Sequence, residues 1–251
     1  MAGRREARKE RPWFLIMIDF RPYASGSSGN LYTVSDGRTA LMLECGIPWR
    51  KVREKLNFRT SAIAGVLITH GHRDHCESGK DAARAGMDVY ASAETLAAAQ
   101  VSGHRACAVE PGKLFVIGSW HILPFATVHD AKGALGFYMV NLDGEAFLYL
   151  TDSAYSPVRF KRLDVVAIEA NYDPAILSNN IASGSLPAVV GHRVRRSHFS
   201  IDTVIGLLTS NDLSNCREIY LLHLSDGNSD QESMRRRVQE AVGVATYIAK
   251  A

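Results

Sequence analysis

The feature that most constrains this chain is a short apolar run that ends in candidate metal ligands. Residues 65–69 are Gly-Val-Leu-Ile-Thr, and directly after them come His70, His72, Asp74 and His75, four such side chains within six positions. An apolar run of this length reads as a buried strand. If the backbone stays extended past Thr69, a period of two sends the His70 and His72 rings to one side, where both reach one ion. Asp74 and His75 follow a turn toward a helix, aim elsewhere and can hold a second ion. Gly71 lets the backbone approach closely. Imidazole with carboxylate suits zinc, manganese or iron, and two ions about 3.5–4 Å apart can clamp a phosphoryl or carbonyl oxygen. The competing reading is local: Asp74 with Glu77 makes a helix capping box, and histidines at strand ends are often plain surface residues. Four candidate ligands behind one apolar strand outweigh it.

A dinuclear site needs further donors, and each should close a strand or sit in a loop beside one. Three positions meet that condition. His129 follows Phe125-Ala126-Thr127-Val128, Asp152 closes Phe147-Leu148-Tyr149-Leu150-Thr151, and His223 closes Tyr220-Leu221-Leu222. Singly each reads as a turn residue or a half-buried histidine; together they define one rim.

Around these positions the pattern is β-rich and then alternates. Strands are predicted at 14–20, 31–34 and 40–44, separated by Ser25-Gly26-Ser27-Ser28-Gly29-Asn30 and by Asp36-Gly37, which makes a meander. Strand 65–69, helix 77–85, strand 88–91 and helix 94–99 follow. A second set of strands is predicted at 114–117, 121–125, 136–140, 146–151 and 165–169, then helix 201–208, strand 218–222, helix 231–242 and strand 245–248. Two β-then-α halves imply an α/β protein with two sheets face to face and helices outside, a four-layer αββα sandwich. The serine-glycine loop lacks the Gly-Lys-Ser/Thr ending of a P-loop and reads as a tight turn with no catalytic role.

With 251 residues, 46% of them hydrophobic, the chain can bury one substantial core, so residues 12–251 are expected to form a single domain. Residues 1–11 mix Arg, Lys and Glu without apolar periodicity and read as a solvated, flexible basic arm. No apolar stretch approaches the ~18 to 20 residues of a membrane span, and the one near the start is too short for a signal peptide. Cys45, Cys76, Cys107 and Cys216 are scattered, which fits reduced thiols and a cytoplasmic protein. A net charge of +3 permits a polyanionic partner without demanding one; the sequence defines no oligomeric state.

The His-x-His-x-Asp-His run followed by separated His, Asp and His resembles the metallo-β-lactamase superfamily. Within it the chain is most similar to the YycJ/WalJ-type exonuclease branch, through the serine-glycine loop, His129-Asp130-Ala131, Thr151-Asp152-Ser153, Glu169-Ala170-Asn171-Tyr172-Asp173, Ser197-His198-Phe199-Ser200 and His223-Leu224-Ser225. The resemblance implies two divalent metal ions, zinc or manganese. His70, His72 and His129 would hold one, Asp74, His75 and His223 the other, with Asp152 bridging. It also implies a DNA exonuclease working 5′ to 3′. Two positions depart from the branch, Glu44 where it has Asp and Tyr172 where it has His.

The segment Gly191-His192-Arg193-Val194-Arg195-Arg196-Ser197-His198 supports a phosphodiester substrate. Arginine forks grip phosphate, and a helix beginning near Ser200 adds a favourable field, so Arg193, Arg195 and Arg196 are candidates for backbone binding; the plainer reading is a solvated basic loop. By resemblance His198 contacts the scissile phosphate. The expected reaction is attack on phosphorus by a metal-bridging hydroxide oriented by Asp74, with His198 stabilising charge or protonating the leaving oxygen. DNA is favoured over RNA as partner, and no membrane is expected. The alternatives are a ribonuclease, a cyclic-nucleotide phosphodiesterase, or a hydrolase of small esters, lactones or thioesters. A long basic groove would indicate polymer, and a closed pocket a small messenger.

Overall fold

Two runs of strands build two sheets in the computed structural model, which describes residues 17–250. The first contains β1 (Asp19–Ala24), β2 (Leu31–Ser35), β3 (Ala40–Leu43), β4 (Ile63–Leu67), β5 (Val89–Ala91) and β6 (Ala106–Ala108), side by side in that order. The second contains β7 (Phe115–Ile117), β8 (Trp120–Ala126), β9 (Leu135–Asn141), β10 (Ala146–Leu150), β11 (Val165–Glu169), β12 (Glu218–Leu222) and β13 (Ala245–Ile248), also in sequential order. Each sheet starts as an antiparallel meander and ends as parallel strands, which, apart from the loop between β10 and β11, are joined through helices. These are α1 (Trp49–Lys55), α2 (Arg73–Cys76), α3 (Gly79–Arg84) and α4 (Ala93–Ala98) in the first half, and α5 (Pro174–Ala182), α6 (Ala188–Ser197), α7 (Ile201–Thr209) and α8 (Gln231–Val242) in the second.

Three apolar clusters show the layering. Phe20, Val34, Leu43 and Leu67 of the first sheet meet Trp120, Phe137, Phe147 and Val165 of the second. Val66 and Val89 pack outward against Val52 of α1, Ala82 of α3 and Leu96 of α4. Leu148, Leu150, Val166 and Ile168 pack outward against Val204 and Leu208 of α7 and Met234 and Val238 of α8. The period of two explains why β10 is apolar throughout: Phe147 and Tyr149 serve the layer between the sheets, while Leu148 and Leu150 serve the helices. At about 1.5–3 kcal/mol per fully buried large apolar side chain, these layers are the main stabilising term. The αββα sandwich expected from the sequence is therefore the fold. The carboxyl ends of β3 and β4, and of β10, β11 and β12, open on one rim, where parallel α/β sheets place ligands.

Several local expectations need correction. Residues 1–11 lie outside the described residues, as does the start of the strand expected at 14–20; among the described residues β1 begins at Asp19 and continues through Pro22. Proline is tolerated there because β1 is an edge strand whose register shifts between Pro22 and Ala24. The helix expected at 77–85 is reduced to α3 and is separated from the earlier α2 where Ser78 turns its hydroxyl to the Ile47 carbonyl and its amide to the Cys45 carbonyl. The capping box is not formed: the α2 N-terminus has no side-chain cap, and Glu77 pairs with Arg73 at 3.0 Å. Residues 191–197, read as a loop, belong to helix α6. Among the described residues no helix is long and apolar enough to cross a membrane.

Candidate metal centre

Three side chains of the rim sit on strained backbone. Glu44 just past β3, Asp152 two residues past β10 and His223 just past β12 have φ of 62°, 41° and 51°. A non-glycine residue in this left-handed region costs about 1–3 kcal/mol and persists only where its surroundings hold it. Here they do. The Glu44 amide donates to the Leu67 carbonyl at 2.9 Å, and the His223 amide donates to Ser25 Oγ at 3.0 Å. The sharp turn lifts each side chain off its sheet and into the space between the two.

The seven side chains expected to bind metal converge there as two groups. His72 Nδ1 lies 3.1 Å from both His70 Nε2 and His129 Nε2. Asp74 Oδ2 lies 3.5 Å from both His75 Nε2 and His223 Nε2. Asp152 Oδ2 joins the groups, 3.8 Å from His70 Nε2, 3.7 Å from His129 Nε2 and 3.5 Å from His75 Nε2. A tetrahedral zinc with bonds of about 2.0–2.1 Å separates its donors by about 3.3 Å, so both groups have the spacing of a ligand set. A buried nitrogen without a hydrogen bond is a further mark: His223 Nε2 makes none among the described residues, with Asp74 Oδ2 3.5 Å away. These residues fit two divalent ions with Asp152 between them.

Hydrogen bonds outside this ring fix which nitrogen carries the lone pair. Thr69 Oγ1 donates to Glu44 Oε1 at 2.6 Å, so it must accept from His70 Nδ1, 3.0 Å away, and leaves His70 Nε2 unprotonated. His129 Nδ1 donates to the Ser197 carbonyl at 2.8 Å, which does the same for its Nε2. Glu44 also lies 3.4 Å from His75 Nδ1 and accepts from the Thr69 amide and the Tyr149 hydroxyl, so one fully buried acid steadies a residue of each group. The larger acid at this position therefore keeps the supporting role. Gly46 supports the same segment from behind: Gly46 and Asn30 bracket the Asp74 carbonyl, and a Cβ on Gly46 would overlap it.

The electrostatics follow from burying many acids together. Burial and neighbouring imidazoles hold His70 well below its ordinary pKa, and burial with His129 lowers His72, so both are neutral donors. At the other group burial opposes charge, yet Asp152 and Glu44 hold His75 well above the ordinary histidine value. Asp152, Asp74 and Glu169 push His223 up to about 10. Burial is likewise overcome at Asp74 and Asp152, which His223 and His75 hold below the carboxylate range. In the metal-free chain, protons on His75 and His223 thus supply the positive charge that the carboxylates require.

His198, expected at the substrate phosphate, stands beside this cluster. Its ring centre is 5.4 Å from that of His129 and 5.6 Å from that of His223, and its Nδ1 donates to Glu169 Oε1 at 2.6 Å. Glu169 is the residue that the sequence reading missed. It also accepts from His223 Nδ1 and from the amides of Ser153 and Phe199. Its signal was present: it is a charged residue ending the otherwise apolar strand β11, where an unpaired acid would be very costly. Burial opposes charge on His198, but Glu169 outweighs it and raises the histidine.

The three arginines separate because α6 is a helix. Arg193 and Arg196 line a cavity of about 410 Å³ with His129, Asp130 and His192, and Arg193 pairs with Asp130 at 2.8 Å. Arg195 turns to Ser178 of α5 instead. Tyr172 is buried, and its main chain brackets residues 199–201, so it shapes the His198 segment without entering the cluster.

Comparison with known proteins agrees with this geometry. The family model described as the beta-lactamase superfamily domain matches residues 41–223. The chain is 30% identical over 226 residues to the exodeoxyribonuclease WalJ of Streptococcus pneumoniae, covering 83% of this chain and 82% of that protein. It is 23% identical over 240 residues to the exodeoxyribonuclease YycJ of Bacillus anthracis, covering 90% and 89%. The crystal structure of the metallo-β-lactamase fold protein YhfI from Bacillus subtilis superposes with a TM-score of 0.70 at 16% identity, covering 92% and 95%. The chain belongs to the metallo-β-lactamase superfamily, and over most of its length it is similar to the exodeoxyribonucleases WalJ and YycJ.

Proposed function

We propose that the chain is a metal-dependent phosphodiesterase that degrades DNA from the 5′ end. Two divalent ions, zinc or manganese, would be held by His70, His72 and His129 and by Asp74, His75 and His223, with Asp152 shared. The observation that carries the reading is the His198–Glu169 pair beside both donor groups, because hydrolysis of a phosphodiester needs an acid for the leaving oxygen as well as a nucleophile. The names of the similar proteins WalJ and YycJ support DNA as the polymer.

When bound, the ions supply a water acidic enough to attack at neutral pH and positive charge against the phosphoryl oxygens. The chain supplies the rest. Asp74, whose side chain is 26% exposed, accepts a hydrogen bond from the attacking water and sets its direction. Glu169 fixes the His198 ring through Nδ1 and favours its protonated form, in which Nε2–H faces the substrate. As the new P–O bond forms and the bond to the leaving strand breaks, His198 Nε2 delivers its proton to the departing oxygen. Arg196 and Arg193 flank the phosphates on the His129 side.

The test is a panel of 5′- and 3′-labelled single- and double-stranded DNA, RNA, cyclic nucleotides and a lactone, each with manganese and with zinc. Stepwise shortening of DNA from the 5′ end is expected. Hydrolysis of the lactone alone, or of no nucleic acid, would sink the reading.

A further inference from the structure

One segment on the rim has no part in that chemistry, the serine-glycine loop at 25–30 between β1 and β2. It is more than a turn. Ser25 Oγ accepts from the His223 amide and from the Tyr32 hydroxyl, and Asn30 donates to the Asp74 carbonyl, so the loop is fastened to the metal centre at both ends. Between these anchors Ser27 and Ser28 are exposed. Neither their hydroxyls nor their amides take a hydrogen bond within the described residues. Four donors therefore have no partner among the described residues.

The loop floors a continuous groove. A cavity of about 310 Å³ lies against His198 and His223 and includes Ser27, Leu224 and Asp226. Those three also line the next cavity, of about 150 Å³, which in turn shares Ser25, Ser28 and Lys250 with a third of about 520 Å³. Lys51 and Lys55 complete the third, on one face of α1 at a spacing of four residues. Lys51, Lys55 and Lys250 are exposed and form no ion pair among the described residues, and Glu54 beside them is taken by Arg50. Among the described residues Asp226 is the one carboxylate lining this arm, so three lysines outweigh one carboxylate there. On the opposite side of the metal centre lies the cavity with Arg193 and Arg196.

We propose that this arm is a track for the phosphate backbone of a nucleic-acid strand beyond the scissile bond. Ser27 and Ser28 donate to phosphate oxygens, and Lys51, Lys55 and Lys250 neutralise the phosphates farther along. The inference rests on the phosphodiesterase reading and sharpens it, since a cyclic nucleotide fills the metal centre and has nothing to lay in a groove of this length.

The experiment measures binding of the metal-loaded protein to fluorescein-labelled, hydrolysis-resistant phosphorothioate single strands, one of about 20 nucleotides and one of about three, across a salt series. The parent should prefer the long strand. In Lys51→Ala/Lys55→Ala/Lys250→Ala its affinity for that strand should fall about tenfold near physiological salt, and the slope of log K against log salt should shrink by about 2. Ser27→Ala/Ser28→Ala should weaken long-strand binding with a smaller change in slope. Equal binding of the two strands by the parent, or an unchanged affinity and slope in the lysine variant, overturns the track. A parent that holds the long strand through these lysines yet hydrolyses no nucleic acid leaves the track standing and removes the nuclease reading.

Discussion

Glu44→Gln isolates what the buried acid behind the metal centre does, because the side chain keeps its shape and loses only its charge and one acceptor. Glu44 Oε1 accepts from Thr69 Oγ1 at 2.6 Å and from the Tyr149 hydroxyl at 3.2 Å, while Oε2 accepts from the Thr69 amide at 3.2 Å. If the amide oxygen of glutamine takes the Oε1 position, its NH2 faces the Thr69 N–H, and one buried donor is left unsatisfied at a cost of about 1–3 kcal/mol. For a chain of this size, at about 2 °C per kcal/mol, that lowers Tm by about 2–6 °C. The second effect is on the imidazoles. His70 loses the polarised chain through Thr69, and His75 loses the carboxylate 3.4 Å from its Nδ1. Losing such outer partners weakens metal binding about 10- to 100-fold. Competition against a zinc-chelating fluorophore measures the affinity, and calorimetry of the metal-free protein measures Tm. Glu44→Asp restores the charge with a shorter reach and should fall between parent and Glu44→Gln. Parent-like affinity in Glu44→Gln would show that the acid does not tune the ligands, whatever happens to Tm.

His198→Ala should lower DNA hydrolysis by about 10²- to 10⁴-fold while bound metal, measured by elemental analysis, stays at the parent level; parent-like turnover would remove it from the chemistry. In Gly46→Ala the new Cβ must displace the Asp74 carbonyl and the His75 amide, so the cost should be about 1–3 kcal/mol in stability together with lost metal, read by denaturant titration and elemental analysis. Parent-like metal content there would mean that the Asp74–His75 backbone moves freely. Metal loading should depend on pH differently at the two groups. The folded-state values of His75 and His223 are raised, so both hold protons at neutral pH and a metal must displace them; affinity at that group should rise with pH until about 10, the His223 value. His70 and His72 are lowered and release none near neutrality. Titration calorimetry in buffers of different ionisation enthalpy counts the protons, and equal release at both groups would contradict the assignment.

The candidate metal ligands were most legible where a polar residue stands just after the end of an apolar strand, a position where chemistry and burial conflict. His70, Asp152 and His223 all stand out in this way. Glu169 carried the same signal at the end of β11, but its role depends on His198 and His223 arriving from distant segments, which no local pattern records. Helix α6 was illegible for a different reason. Val189, Val190, Val194 and Gly191 are poor helix formers, and four basic residues make the segment look solvated. Tertiary packing decides the matter: Gly191 lies against Ile181 with no room for a Cβ, and the Ser197 carbonyl at the C-terminal end is held by His129. Once the segment is a helix, Arg195 must leave the side on which Arg193 and Arg196 stand. The same divergence holds in α8, where Arg235 pairs with Glu232 while Arg237 reaches Asp173 and Asp202.

The rim also shows why this site opposes the stability of its own fold. Glu44, Asp152 and His223 each hold left-handed backbone at about 1–3 kcal/mol, and Glu44, Asp152 and Glu169 are charged residues with almost no exposure. A fold selected for stability alone would end β3, β10 and β12 with glycine or asparagine and would fill the space between the sheets with apolar side chains. Hydrogen bonds from Thr69, Tyr149, Ser153 and Phe199 offset part of that cost without ions, and they do so by fixing each carboxylate and imidazole in one orientation. What remains is an excess of buried carboxylate charge, beside a His223 Nε2 that makes no hydrogen bond among the described residues. Protons on His75 and His223 balance part of that charge in the metal-free chain, and divalent ions would take their place, so metal binding would add directly to the stability of the fold.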